Sequence, residues 1–524
     1  MRAVGTVLVL VVLATVVATG ARRWQIPAPS LLVIAGLVAA LIPGTPELHI
    51  APQTIALVVL PPLLYASAQE MSLRDLKIVW RPVTVLALGL VLASAAAVGV
   101  MAVTLTSLTA PMALVLGAVL ASTDPVAVTA LSRRLALPGR VQTMVQAESL
   151  FNDATSLVLF KVAVGLALAA GAVSWPKAGG EFFLLAGGGS IIGAAVAGVV
   201  ALIRARTTDP VLETVIALVT PYGAYVLAES AHTSGVTAVV VAGVVLGRSG
   251  YRLSDARIRL QLQAVYSVVV FLLESVVFAI IGLELPTMVR DLPAGSGAWP
   301  LQALALAAVL IGLRVLWVWP LSTVVKPVEG AASWRVAAVV TWAGTRGVMP
   351  LAAALSIPLT ADDGSALTGR PLVLVLTTAV VVFTLVVQGL SLAPLVNRSG
   401  LALEPGDTAR EQERARQRLA RAGLDYLDQL ADLGAAPEAA IERIRLALDS
   451  RLRHSLAQDP QDPREPGPGE ASLLHVYQQL RREVIAVQGT ELQSMYDTHQ
   501  ISDATRRQLQ YDLDLEETGI NGSR

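Results

Sequence analysis

The chain has no cysteine, only five histidines and few charges for its length. Without cysteine there is no disulfide, no thiol nucleophile and no thiolate metal site, and nothing marks the redox state of its compartment. The histidines are scattered along the chain, which argues against a histidine-built metal centre. Lys+Arg and Asp+Glu balance at 39 each, and no basic stretch offers a footprint for nucleic acid. Charged residues make up 15% of the chain, against ~25% in ordinary soluble domains. Hydrophobic residues make up 54%, and mean hydropathy is +0.64. Such a chain suits water only if most of it lies in lipid.

What charge there is sits unevenly. Residues 400–524 hold 15 Lys/Arg and 22 Asp/Glu, 37 of the 78 charged residues. The chain therefore reads as an apolar body, 1–399, and a charged, slightly acidic tail, 400–524. A membrane-crossing helix needs roughly 20 apolar residues. Thirteen stretches qualify, near 4–20, 27–43, 50–69, 82–105, 109–132, 141–171, 181–203, 210–229, 235–247, 260–285, 300–323, 334–357 and 371–397. Arg2 before a short apolar run resembles a signal peptide. Arg22 and Arg23 agree with every later loop only if that run is a true first helix. With the amino terminus outside, seventeen basic residues fall on the cytoplasmic side, from Arg22 and Arg23 to Arg398, against four outside, Arg2, Lys177, Arg290 and Arg370. Lys/Arg bias sets orientation, and here it also places the tail in the cytoplasm. Thirteen helices permit two six-helix units offset by seven and hence inverted, the plan of many secondary transporters. No internal sequence similarity is visible.

In the tail, 408–432, 437–457, 471–488 and 502–517 have helical spacing, with a breaker cluster from Asp459 to Gly469. Nothing there resembles a nucleotide or metal site, and solvated amphipathic helices are the simpler reading.

Three carboxylates fall within thirty residues of the apolar body: Asp124, Glu148 and Asp153. Acids at membrane depth are expensive and mark function. Thr123-Asp124-Pro125 lies mid-span. Proline breaks a helix there, while Asp as N-cap followed by Pro restarts one. A simple kink with Asp124 as cap accounts for Pro125 but not for a carboxylate at mid-bilayer. Asp124 then caps the break, and the Thr123 carbonyl or hydroxyl is available to a cation.

In Glu148-Ser149-Leu150-Phe151-Asn152-Asp153, the positions Ser149, Asn152, Asp153 and Ser156 share one helical face. Hydroxyl, amide and carboxylate oxygens suit a hard monovalent cation. Burial penalises the charged form of Asp153, so a proton and a cation can compete for it, which suffices for coupled exchange. Serines and an amide alone would fit a polar helix seam; the acids make that reading the weaker. Glu148 points away from this face and needs its own countercharge. Arg346, in Ala343-Gly344-Thr345-Arg346-Gly347, is the proposed partner, in a structural ion pair.

Together, Thr123-Asp124-Pro125, Ala147-Glu148-Ser149-Leu150-Phe151-Asn152-Asp153 and Gly344-Thr345-Arg346-Gly347 resemble the first family of monovalent cation:proton antiporters, the NhaP and Na⁺/H⁺ exchanger group. The resemblance covers residues 1–400. It implies an all-α membrane fold of about thirteen helices with two crossing broken helices, a core domain moving against a dimerisation domain, and a homodimer in the plasma membrane. It makes Asp153 the carrier of Na⁺ and H⁺, with Ser149, Thr123 and Asp124 contributing to the cation site and Glu148 and Arg346 pairing. Asn152 before Asp153 implies electroneutral one-for-one exchange, with no cofactor. One departure stands out. Many members carry an acid on the third helix after a Pro-Pro run, whereas Pro61-Pro62-Leu63-Leu64-Tyr65 is followed here by Ala66 and Ser67. That leaves K⁺/H⁺ exchange as the alternative.

Glu274 and Arg314 lie in the tenth and eleventh spans and Lys161 two turns beyond Asp153, and structural partners or snorkelling account for each. Glu229 and His232 read as loop residues near a helix end. A passive cation channel could use the same acids. An intramembrane aspartyl protease would carry Gly-x-Gly-Asp, which is absent.

Overall fold

The computed structural model describes residues 12, 15–17, 19–20, 28–41, 52–71, 73–123, 139–168, 175–207, 209–253, 256–290, 292, 296–324, 333–361, 365–399, 405–434, 436–454 and 470–521. Most of the expected first helix, Asp124 and Pro125, and the whole of the breaker cluster lie outside them. Among the described residues there is no strand, only an isolated bridge between Thr360 and Ala366. The chain forms two compact units, Met1–Leu253 with Ala264–Ala402, and Ser254–Gln263 with Leu403–Arg524.

The first unit is built from α1 (Ala28–Ala40), α2 (Pro52–Gln69), α3 (Leu73–Thr84), a π-helical turn Val85–Leu90, α4 (Val91–Leu105), α5 (Ala110–Ala121), α6 (Gly139–Leu168), α7 (Trp175–Arg204), α8 (Pro210–Ser230), α9 (Gly235–Leu253), most of α10 (Ala256–Arg290), α11 (Trp299–Val324), α12 (Ser333–Trp342), α13 (Val348–Leu355) and α14 (Arg370–Ser399). Seven helices among the described residues are long and apolar enough to cross a membrane: Val79–Leu105, Thr143–Leu168, Gly179–Arg204, Pro210–Ser230, Ala256–Arg290, Ser296–Pro320 and Arg370–Leu392. Shorter apolar helices accompany them, among them Leu57–Gln69, Ala110–Ala121 and Gly235–Arg248.

Three of the short pieces, α5, α12 and α13, border non-helical backbone. α5 has 12 residues, about 18 Å at 1.5 Å per residue, too short for a hydrocarbon core of about 30 Å. It ends where Ser122 turns extended (φ −67°, ψ 141°). The expected single span 334–357 is α12 and α13, separated by Ala343–Gly347 in non-helical backbone. Gly344 and Gly347 there lower helix propensity, and Gly347 takes φ −130°, ψ −141° ahead of α13.

α5 packs between α4 and α6, and α11, α12, α13 and α14 pack around them; α2, α7, α8 and α9 form a second set. Lipid is as apolar as leucine, so helix association here comes from close packing and polar contacts. At Gly117 the α4 backbone comes so near that a Cβ would sit 2.2 Å from the Ala95 carbonyl oxygen. Leu86 and Leu90 of the π turn, Val145 of α6, Val318 of α11, Val339 and Val340 of α12, and Leu392 and Val396 of α14 form one buried cluster. That cluster fixes α6 against the α12 break.

The second unit holds α15 (Pro405–Asp432), α16 (Glu438–His454), α17 (Glu470–Asp497), α18 (Asp503–Asn521) and the first turns of α10. Its apolar stripes meet in two clusters, one around Leu419, Leu492, Tyr496 and Leu509, the other around Leu427, Ile444, Leu448 and Val484. Arg259 pairs with the buried Asp514, its Nε donating at 2.9 Å. The sequence reading had assigned 260–285 wholly to the apolar body.

Candidate functional site

An interrupted helix in lipid exposes carbonyls and N–H groups that no water can satisfy. The protein supplies their partners. At the end of α5, Arg346 Nη1 donates to the carbonyl of Ala121 at 2.8 Å and to that of Ser122. A guanidinium placed there also meets the negative end of the helix dipole. The backbone N–H of Arg346 donates to Thr384 Oγ1 of α14 at 3.2 Å. The α12–α13 break thus caps the C-terminal end of α5, and the two face one another.

The extended residue Thr123 is clamped by α6. Its N–H donates to Asn152 Oδ1 at 3.1 Å, and Asn152 Nδ2 donates to Thr123 Oγ1 at 2.5 Å. Ser149 Oγ donates to the Thr123 carbonyl at 2.6 Å. Asn152 therefore satisfies both a donor and an acceptor of one residue with the two ends of its amide. One position upstream, the Ser122 hydroxyl donates to Asp153 Oδ1. Ser156 Oγ donates to the Asp153 carbonyl at 3.1 Å. Ser122, Thr123, Ser149, Asn152, Asp153 and Ser156 are all buried, Asp153 at 7% exposure. A crevice too tight to admit a water molecule borders this cluster, lined by Ser122 and Ser156 and by apolar side chains of α5, α6 and α13, including Phe160 and Met349.

The face predicted from the spacing of Ser149, Asn152, Asp153 and Ser156 thus meets the predicted break at Thr123. Asp124 lies outside the described residues. Ser122 was missed, because a serine beside a break carries no signal of its own.

The Glu148–Arg346 pair does not form. Glu148 is bound instead by Arg314 of α11, with Arg314 Nη2 to Glu148 Oε2 at 2.9 Å and Nη1 to Oε1 at 2.5 Å. Arg314 also donates to the Val340 carbonyl from Nε at 3.3 Å and from Nη2 at 3.0 Å. The physical reason is a division of labour. The orphan carbonyls of α5 need one guanidinium, and the buried carboxylate Glu148 takes the other in a two-pronged contact. Both ends of the Glu148–Arg314 pair are under 5% exposed, so neither charge is left alone out of water. Arg314 is thereby a structural partner, as expected for it.

Lys161, two turns beyond Asp153 on α6, pairs with Glu229 of α8. Glu229 Oε1 also accepts the backbone N–H of Gly235 at 2.9 Å. Glu229 is therefore more than a loop residue. Arg204 and Glu213 form a further buried pair, Nε to Oε2 at 2.9 Å, joining α7 to α8. Among the described residues, no group of three or more Asp, Glu or His side chains is arranged to hold a metal ion.

Comparison with known proteins bears on this arrangement directly. The transmembrane sodium/hydrogen exchanger family matches residues 8–398. An uncharacterised Na⁺/H⁺ exchanger of Mycobacterium tuberculosis is 34% identical over 98% of this chain and 96% of its own length. The Na⁺/H⁺ antiporter ApNhaP of Aphanothece halophytica is 33% identical over 80% of this chain and 78% of its own. The solved structure of the sodium proton antiporter MjNhaP1 from Methanocaldococcus jannaschii superposes with a TM-score of 0.63 at 21% identity, covering 77% of this chain and 100% of that one. With a family match spanning the apolar body and a fold shared with MjNhaP1, the chain belongs to the sodium/hydrogen exchanger family of multi-pass membrane transporters, the first family of monovalent cation:proton antiporters.

Proposed function

We propose that the protein is a secondary antiporter that exchanges Na⁺ for H⁺ across the plasma membrane, one for one, with Asp153 as the carrier of both. The observation that carries this reading is a buried carboxylate, Asp153, in contact with the Ser122 hydroxyl where the end of α5 faces the α12–α13 break. A lone ionised carboxylate is costly to move through a low-dielectric barrier. Either a proton or a cation neutralises it, and only the neutral, occupied site crosses readily. Because Asp153 holds one or the other, the two fluxes are locked together.

Asn152 in place of a second acid keeps the exchanged charge at one, which supports electroneutral exchange. Ser149, Thr123 and Asp124 are the proposed cation neighbours of Asp153. Thirteen spans in inverted repeats, an outside amino terminus, a cytoplasmic tail from residue 400 and a homodimer complete the proposal. Support for these comes from the loop-charge asymmetry and from the family resemblance. K⁺/H⁺ exchange is the second reading, favoured by Ala66, which stands on α2 where many family members carry an acid.

The test is dequenching of a pH-sensitive dye in everted vesicles on addition of Na⁺, Li⁺ or K⁺ in turn, wild type against Asp153→Asn. Wild type should respond and Asp153→Asn should not. Normal exchange by Asp153→Asn would overturn the assignment. Cation uptake into proteoliposomes that ignored an imposed pH gradient would replace the antiporter with a channel.

A further inference from the structure

We propose that Ser122 is a direct ligand of the transported cation and sets which monovalent cation the site accepts. The inference rests on the antiport reading above, which assigned no role to Ser122. Its hydroxyl is buried, 2% exposed, and in contact with Asp153 Oδ1. A cation held by that oxygen must either push the hydroxyl aside or take it as a ligand. Retreat of the backbone is blocked on both sides. The Ser122 carbonyl is held by Arg346, and the next residue, Thr123, is clamped by Asn152 and Ser149. Turning the O–H bond away needs no backbone movement and leaves a lone pair facing the cation, since a hydroxyl has two acceptor lone pairs beside its donor.

The crevice gives the same answer from the other direction. Its lining is apolar apart from Ser122 and Ser156. With no room there for water, a cation held at Asp153 on this side must draw its oxygen from the protein, because hard ions bind oxygen ligands. Ser156 Oγ is bonded to the Asp153 main chain, whereas Ser122 Oγ is bonded to the carboxylate itself. Ser122 thus stands between the crevice and Asp153. As a neutral ligand it adds coordination without adding charge. Being anchored at its carbonyl, it holds its oxygen at a fixed spacing from Asp153. A fixed spacing distinguishes ions by size, favouring Na⁺ and Li⁺ over K⁺.

The test compares wild type with Ser122→Ala, Ser122→Cys and Ser122→Thr in everted vesicles, at the pH where wild type runs fastest. Ala removes the oxygen, Cys replaces it with a soft sulfur of similar shape, and Thr keeps it. Losing one hard ligand should raise KM for Na⁺ and Li⁺ about tenfold, raise KM for K⁺ less, and leave kcat within about twofold. Ser122→Thr should keep the wild-type order of ions. Ala and Cys act independently, so a packing defect in one leaves the other decisive. An unchanged ratio of Na⁺ to K⁺ KM values in the oxygen-free variants, with or without a slower rate, overturns the proposal. Binding of ²²Na⁺ to the purified full-length protein separates this failure from failure of the antiport reading. If wild-type vesicles move no protons on cation addition, antiport fails. Binding that is lost in Asp153→Asn and about tenfold weaker in Ser122→Cys would still make Ser122 a ligand. Equal binding by Ser122→Cys and wild type removes Ser122 from the site and leaves antiport standing.

Discussion

Gly344 lies directly beneath the guanidinium of Arg314. A Cβ on residue 344 would fall 2.5 Å from Arg314 Nε and 2.6 Å from its Cδ. The glycine therefore does more than loosen the span between α12 and α13. It opens the passage through which Arg314 of α11 reaches Glu148 of α6.

The first prediction follows from that geometry. Gly344→Ala should push Arg314 off Glu148 and leave two buried charges unmatched, a loss of roughly 3–5 kcal/mol for a broken buried pair. The result should be poor recovery of monodisperse protein and a lowered Tm in detergent. Gly312 is the control, since a Cβ there meets nothing within 4 Å. Gly312→Ala in the same helix as Arg314 should leave Tm unchanged or slightly raised.

Double-mutant cycles distinguish the observed pairing from the one the sequence suggested. Glu148→Gln with Arg314→Met should show a coupling of about 1–3 kcal/mol, because the two groups share two hydrogen bonds. Glu148→Gln with Arg346→Met should be closer to additive, since Arg346 is hydrogen-bonded to Ala121 and Ser122. Thermal unfolding of the single and double variants measures both. Stronger coupling for Glu148 with Arg346 would reinstate the sequence-based pair.

These residues show where the sequence is legible and where it stops. The face carrying Ser149, Asn152, Asp153 and Ser156 was readable because helical period alone places those side chains together. The second break was readable in part, from two glycines around Thr345-Arg346. The partner of Glu148 was not. Both Arg314 and Arg346 lie in apolar runs, and the contact that forms spans 166 positions, a separation over which no periodicity informs. Resemblance to a family suggested one arginine; the geometry of the α5 terminus claimed it for carbonyls. Ser122 and the Lys161–Glu229 pair were hidden for a similar reason, as each gains its meaning only from a residue on another helix.

Lys161–Glu229 leads to the third prediction. α6 carries Asp153 and packs in the set around α5, whereas α8 belongs to the set with α2, α7 and α9. The pair ties one set to the other, and both side chains are about a third exposed, at 29% and 33%. A pair this exposed contributes little stability, so Lys161→Gln should barely shift Tm. If the two sets move against each other during transport, as alternating access requires, this tie must part. The chain has no cysteine, so Lys161→Cys with Glu229→Cys gives a clean pair of thiols. Bridging them with a short, cleavable bifunctional maleimide should halt exchange, and cleaving the bridge should restore it. Full activity in the bridged protein would show that α6 and α8 keep station.

The last prediction concerns pH, and its sign follows from competition at Asp153. A proton on the carboxylate must leave before a cation can bind. Lowering pH therefore raises the apparent KM for Na⁺ and leaves kcat untouched at saturating Na⁺. For a single proton the logarithm of KM should fall with pH at a slope of about −1 through the range where Asp153 is mostly protonated, and flatten above it. A slope near −2 would mean two protons displaced per cation, which Asn152 is in no position to supply. In Asn152→Asp a second acid enters the site and the amide's donation to Thr123 Oγ1 is lost. That variant should steepen the slope and lower Tm together. Initial rates of dye dequenching over a grid of pH and Na⁺ concentrations give both slopes. A KM independent of pH with a falling kcat would place the titrating group away from the cation site and separate the proton's path from that of the metal ion.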